Sequence, residues 1–179
     1  SDWPRLLAEQ VRGALHGGAD LVQVREPDLV ARDLLAFMDM LRREQPTSLK
    51  SIVVNDRVDL ALLAGAAGVH LTERSLDEGD IESLPGLPDD WIVGRSVHGV
   101  EGAGRHRGVS YLLAGTVRTT ASKPAGVATL GWDGLARIVI AAAETPVVAI
   151  GGLTEEDASR AKSVGAAGLA GIGCFLPHG

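Results

Sequence analysis

Gly165-Ala166-Ala167-Gly168-Leu169 is the stretch that decides the fold, because the chain has already used its pattern twice, as Gly17-Gly18-Ala19-Asp20-Leu21-Val22 and Gly65-Ala66-Ala67-Gly68-Val69. Each copy follows apolar residues at helical spacing, stops the helix at glycine, and opens a short aliphatic run. Working outward, the first helical face is Trp3, Leu6, Leu7, Val11, Ala14 and Leu15. Strand-like runs fall at 21–24, 51–54, 68–71, 91–94, 111–114, 146–150 and 168–172. Runs that are aliphatic throughout, alternating with helices, mark a parallel sheet covered by helices.

The expected class is therefore α/β, a TIM (β/α)8 barrel formed by residues 1–179 as a single domain, with a doubly wound open sheet as the alternative. The barrel is preferred because polar residues gather at the C-terminal ends of the strands, where barrel sites are built. Seven strands led by a helix leave the first strand and the last helix of an eightfold barrel missing from the sequence. Such an unfilled seam makes a homodimer attractive. Asp28 is expected to cap the helix through Leu34, Leu35, Met38 and Leu41, and Ser75/Glu78 and Thr154/Asp157 read as capping boxes. The glycine-rich and hydroxyl-rich stretches 99–110 and 116–129 read as irregular.

Composition narrows the function. Seventeen basic against twenty-three acidic residues give a net charge of −6, which argues against non-specific binding to nucleic acid or anionic membrane. Aromatic residues make up only 3% of the chain, so stacking platforms for bases are scarce. Cys174 is the single cysteine, which excludes an intrachain disulfide and a cysteine-built zinc site. With no apolar run of ~18 residues and no secretory leader pattern, a cytoplasmic protein is expected.

Candidate site residues follow the strands in turn: Gln23, Arg25 and Glu26; Asn55 and Asp56; His70; Ser96 and His98; Thr116 through Lys123; Gly151 and Gly152; and Gly173. Glycine amides after the last two strands suit a phosphate, although the same glycines also make tight turns. Thr120, Ser122 and Lys123 offer hydroxyls and an ammonium to a second anion, which Arg25 can also reach. Asp56 suits Mg²⁺ shared with substrate phosphate oxygens, or the cap of a helix starting at Arg57. Glu26, His70 and His98 are acid or base candidates; His70 reads as a buried, hydrogen-bonded histidine and His98 as facing the barrel mouth.

The ordered set Gln23-Val24-Arg25-Glu26, Val54-Asn55-Asp56-Arg57-Val58-Asp59-Leu60-Ala61, Gly68-Val69-His70-Leu71, Val93-Gly94-Arg95-Ser96-Val97-His98, Thr120-Ala121-Ser122-Lys123 and Val148-Ala149-Ile150-Gly151-Gly152-Leu153-Thr154 resembles thiamin phosphate synthase and its TenI-like relatives along nearly the whole chain. The resemblance implies a TIM barrel that handles a hydroxymethylpyrimidine diphosphate and a thiazole phosphate. It implies pyrimidine diphosphate contacts from Gln23, Arg25, Asn55, Ser96, Thr120 and Lys123, Mg²⁺ on Asp56, and thiazole phosphate on Gly151, Gly152 and Gly173. Three positions depart from the pattern. The basic residue after Arg-Glu is Pro27, the second Mg²⁺ carboxylate falls at Ser75, and the histidine that the TenI-like tautomerases carry after Gly115 is Thr116. The missing carboxylate at Ser75 and the Arg95-Ser96-Val97-His98 segment, both features of the TenI-like branch, favour a TenI-like enzyme of thiamin biosynthesis acting on thiazole phosphate. His98 or Glu26 would then carry the proton in place of Thr116. The alternatives are a true synthase, and a non-catalytic protein that binds thiazole or thiamin phosphate as a regulator.

Overall fold

A computed structural model of the chain describes residues 2–120 and 128–172, which form two compact units. The first holds residues 2–71 and 75–92, the second 72–74 and the described residues from 93 onward. In the first unit α1 (Trp3–His16), β1 (Val22–Val24), α2 (Ala31–Glu44), a 3-10 turn (Ser48–Ser51), β2 (Ile52–Asn55), α3 (Val58–Ala64), β3 (Gly68–Leu71) and α4 (Glu78–Glu82) follow one another. β4 (Ile92–Val97) leads into the second, which continues with α5 (Val100–Arg105), β5 (Tyr111–Gly115), α6 (Gly131–Ala142), β6 (Val147–Ile150), a 3-10 turn (Glu155–Asp157), α7 (Ala158–Ser163) and β7 (Gly168–Ala170). All seven expected strands are present.

Pairing within each unit is parallel and in chain order. Gln23 lies beside Val53 and Asn55 beside His70 in the first. In the second, Ser96 lies beside Leu113, Gly115 beside Ile150, and Ile150 beside Ala170. The interior is aliphatic, as the composition requires. Phe37, Met38, Leu41, Ile52, Val53 and Val69 are buried in the first unit, and Leu112, Leu135, Ile138 and Ala149 in the second. Each of these side chains larger than Ala149 contributes about 1.5–3 kcal/mol by leaving water.

The threefold repeat is one structural device. Gly65 N–H donates to the Leu62 carbonyl at 3.1 Å and Ala66 N–H to Ala61 at 3.0 Å. Gly165 and Ala166 repeat this on Lys162 and Ala161, both at 3.0 Å, and Gly18 and Ala19 on Leu15 and Ala14, at 3.2 and 3.0 Å. The glycines take φ +68°, +90° and +88°, the left-handed cap that frees the chain to leave a helix. The next amide is then captured by the preceding strand, Ala67 by Ile52 at 2.9 Å and Ala167 by Val147 at 2.7 Å.

Local expectations fail where a stronger partner or deeper burial intervenes. α2 begins at Ala31 behind an extended Val30 with no side-chain cap; residues 26–29 instead close a turn, Leu29 N–H on the Glu26 carbonyl at 3.2 Å, and Asp28 stays exposed. Asp56 does not cap α3, whose N-cap position is Arg57, again with no side-chain bond. α4 starts behind Asp77, two residues past the expected Ser75, and the Ser75 hydroxyl donates to the Asp56 carboxylate, a charge-assisted bond. The Thr154/Asp157 box is present. Stretch 99–110 contains α5, whose Gly102 and Gly104 are offset by buried Ala103 and a Glu101–Arg105 pair at 2.7 Å. β4 runs on to Val97 because its ladder with β5 continues to Val97 beside Ala114, and Arg95 within it is only 1% exposed.

Gly94 in β4 makes room for a neighbour. A Cβ there would stand 2.1 Å from the Tyr111 ring, and burial pushes the Tyr111 hydroxyl's pKa up. Among the described residues no helix is long and apolar enough to cross a membrane.

Candidate active site

In the first unit the ends of β1 and β2 bring Gln23 and Asn55 together, the Gln23 Nε2 donating to Asn55 Oδ1 at 2.8 Å. One residue on, Asp56 adopts φ +57°, a left-handed conformation that Asp tolerates better than most residues. Its N–H still reaches the His70 carbonyl at 2.8 Å, so the parallel ladder continues while the exposed carboxylate meets the Ser75 hydroxyl. His70 is 1% exposed and partnered. Arg25 and Glu26 follow β1, both exposed. Asp56 belongs to no group of three or more ligating side chains among the described residues. A lone carboxylate beside a hydroxyl fits a hard cation that takes most of its ligands from phosphate and water, and does not fit an all-protein cage.

In the second unit Ser96 is half-buried near the end of β4. His98 just beyond is exposed, and its Nδ1 lies 2.5 Å from the Gly115 carbonyl oxygen. A carbonyl can only accept, so Nδ1 carries a proton there and Nε2 is the ring nitrogen left to exchange one. Thr116 is 9% exposed. Its side chain packs on Gly151, where a Cβ would come within 2.5 Å of Thr116 Cγ2.

The loops after β5 and β6 are interlocked. Val117 N–H donates to Ile150 and Arg118 N–H to Gly151, both at 2.9 Å. On the other flank Leu130 and Gly131 donate to Thr116 and Val117, also at 2.9 Å. Gly151 and Gly152 have φ +103° and +64°, and a Cβ on Gly152 would lie 2.3 Å from the Thr119 carbonyl oxygen. Close approach and backbone conformation together exclude a side chain at 152. Thr120 is half-buried and partnered. Ser122, Lys123 and Gly173 lie outside the described residues.

Two arginine contacts escaped the sequence reading. Arg95 Nη1 points at the Thr72 carbonyl at 3.4 Å; a charge inside the run Ile92-Val93-Gly94-Arg95-Ser96-Val97 was the signal for it. Arg118 reaches Asp157 with one Nη1 at 3.2 and 3.1 Å from the two carboxylate oxygens, and nothing local in the sequence announces that pair. A groove of about 490 Å³ lined by Leu15, His16, Gln45, Thr47 and Ser51 opens near the N-terminal ends of β1 and β2. It holds none of the candidate residues at the C-terminal strand ends.

The family model for thiamine monophosphate synthase matches residues 1–175. Over 174 residues the chain is 38% identical to a putative thiamine-phosphate synthase of Geobacter sulfurreducens, covering 96% of this chain and 80% of that protein. It is 36% identical over 163 residues to the thiamine-phosphate synthase of Thermobifida fusca, covering 89% and 73%. Among solved structures, thiamine phosphate pyrophosphorylase from Pyrococcus furiosus aligns with a TM-score of 0.76 at 34% identity, over 94% of this chain and 81% of that one. A 3-hexulose-6-phosphate synthase, 19% identical with a TM-score of 0.62 over 92% and 83%, shares the fold alone. The expected α/β class of TIM-barrel type is thus met. The relatives carry synthase names, so weight moves from the TenI-like expectation to its alternative.

Proposed function

The chain is a member of the thiamine monophosphate synthase family, and from that premise we propose that it joins a hydroxymethylpyrimidine diphosphate to a thiazole phosphate with release of pyrophosphate. The C–O bond between the pyrimidine methylene and the diphosphate breaks with its electron pair, and the thiazole nitrogen lone pair forms the new C–N bond. The observation that carries this reading is the polar series at the ends of β1 and β2, in which Gln23 is bonded to Asn55 and the adjacent Asp56 to Ser75.

The amide pair suits the donor and acceptor edge of a pyrimidine, and each amide already holds the other in place, so little side-chain entropy is lost on binding. Arg25 meets the diphosphate as a fixed cation. Asp56 would hold Mg²⁺, which neutralises charge growing on the departing diphosphate. The Gly151–Gly152 turn offers backbone amides to the thiazole phosphate, held by its lock on Thr116 and Arg118. Thr116 then serves packing, which fits a synthase better than a tautomerase that needs a proton shuttle at that position.

Incubating the protein with both phosphorylated substrates and Mg²⁺ should give thiamin phosphate and pyrophosphate in equal amounts. Absence of thiamin phosphate, with substrates intact, would overturn the reading. One observation favours a second reading, tautomerisation of the thiazole: the Nε2 of His98, left to exchange a proton by the Nδ1 contact with the Gly115 carbonyl. Solvent deuterium entering thiazole phosphate, and lost in His98→Ala, would support it.

A further inference from the structure

We propose that Arg118 is a positioning residue for phosphate recognition, holding the Gly151–Gly152 turn in its working shape from both ends; the inference rests on assigning that turn to the thiazole phosphate. At the near end Arg118 N–H donates to the Gly151 carbonyl at 2.9 Å. Its own carbonyl fills the space over Gly152, 2.9 Å from where a Cβ would sit. At the far end its guanidinium grips Asp157 at 3.1–3.2 Å, and the same carboxylate accepts the Thr154 N–H at 3.0 Å. One residue therefore fixes the start of the turn through its backbone and, by way of Asp157, the end through its side chain, with Gly152 and Leu153 between the anchored Gly151 and Thr154. The Asp157 carboxyl is held below its ordinary range by the Thr154 amide first and by Arg118 as well, so it stays charged for this role.

Backbone amides recognise phosphate only if they point at the oxygens to within a few tenths of an ångström, and loosening one anchor misdirects them. Arg118 is half-exposed, with 53% of its side chain open to solvent against 15% for Asp157, so the expected effect is moderate: about three- to fivefold, the span of a good surface ion pair.

The test is calorimetric binding of thiazole phosphate to the full chain, with KM measured for each substrate separately. Arg118→Ala should weaken thiazole phosphate binding about three- to fivefold and leave KM for the pyrimidine diphosphate unchanged, and Arg118→Lys should recover part of the loss. Asp157→Asn separates positioning from simple charge attraction. It keeps an acceptor for Thr154 but removes a negative charge, so direct attraction between Arg118 and phosphate predicts tighter binding, whereas positioning predicts weaker binding. If the wild type binds and Asp157→Asn binds as well or better, the inference falls alone. If the wild type binds no thiazole phosphate, the assignment of the turn falls and takes the inference with it.

Discussion

Asp56 combines a left-handed backbone, an exposed carboxylate and a Ser75 hydroxyl partner, and each has a consequence for substitution. Asp56→Asn keeps the acceptor but loses the charge, and should lower Mg²⁺-dependent thiamin phosphate formation about 10–100-fold while the melting temperature stays close to wild type. Gly152→Ala should cost about 2–4 kcal/mol in urea unfolding, through the strained φ and the collision with the Thr119 carbonyl. Asp157 makes a pH prediction with a definite sign. Its native pKa lies below the ordinary 3.8, so its contribution is complete above that value and is lost as the pH falls through the lower native one. The melting-temperature gap between wild type and Asp157→Asn should therefore be widest above the ordinary value and close in strong acid. At this scale the sequence was informative where chemistry follows a strand directly, as at Gln23, Asn55, Asp56 and His98. It was silent on the Arg118–Asp157 pair, which spans thirty-nine positions, because sequence spacing carries no trace of such a contact.

The recurring helix-to-strand turn was legible because its requirement is local: a left-handed residue that only glycine supplies cheaply. Its copies should nonetheless respond differently. Gly65→Ala meets nothing within 4 Å, whereas a Cβ at Gly165 would lie 2.9 Å from Val139 Cγ1. The first substitution should cost about 1 kcal/mol and the second about 2 kcal/mol or more, read as urea midpoints at constant slope. Element ends were less legible. Caps expected at Asp28 and Asp56 follow residue preference, but preference yields when a turn takes up the segment or the carboxylate finds another partner. α5 was hidden by Gly102 and Gly104, whose low helix propensity is overridden by packing of Ala103 and by the ion pair across one turn.

For the whole molecule, the aliphatic runs alone indicated parallel strands under helices, since only that architecture buries both faces of a sheet. What the runs do not contain is the chemistry that separates a synthase from a tautomerase, because both reactions can be served by loops on the same frame. In a chain of net charge −6, the proposed polyanionic substrates would be bound through fixed amides, a few placed cations and Mg²⁺, not through the overall field. Thiazole phosphate at about 100 times its dissociation constant should stabilise the fold by about 2.7 kcal/mol, raising the melting temperature about 5–10 °C; no shift at saturation would count against the proposed substrate. The phenol lodged over Gly94 ties two positions of the chain into one unit of inheritance. Drift toward a larger residue at 94 is open only to lineages that first trim position 111, so the pair should change jointly among natural variants, and a designer who alters either alone should expect a poorly folded product.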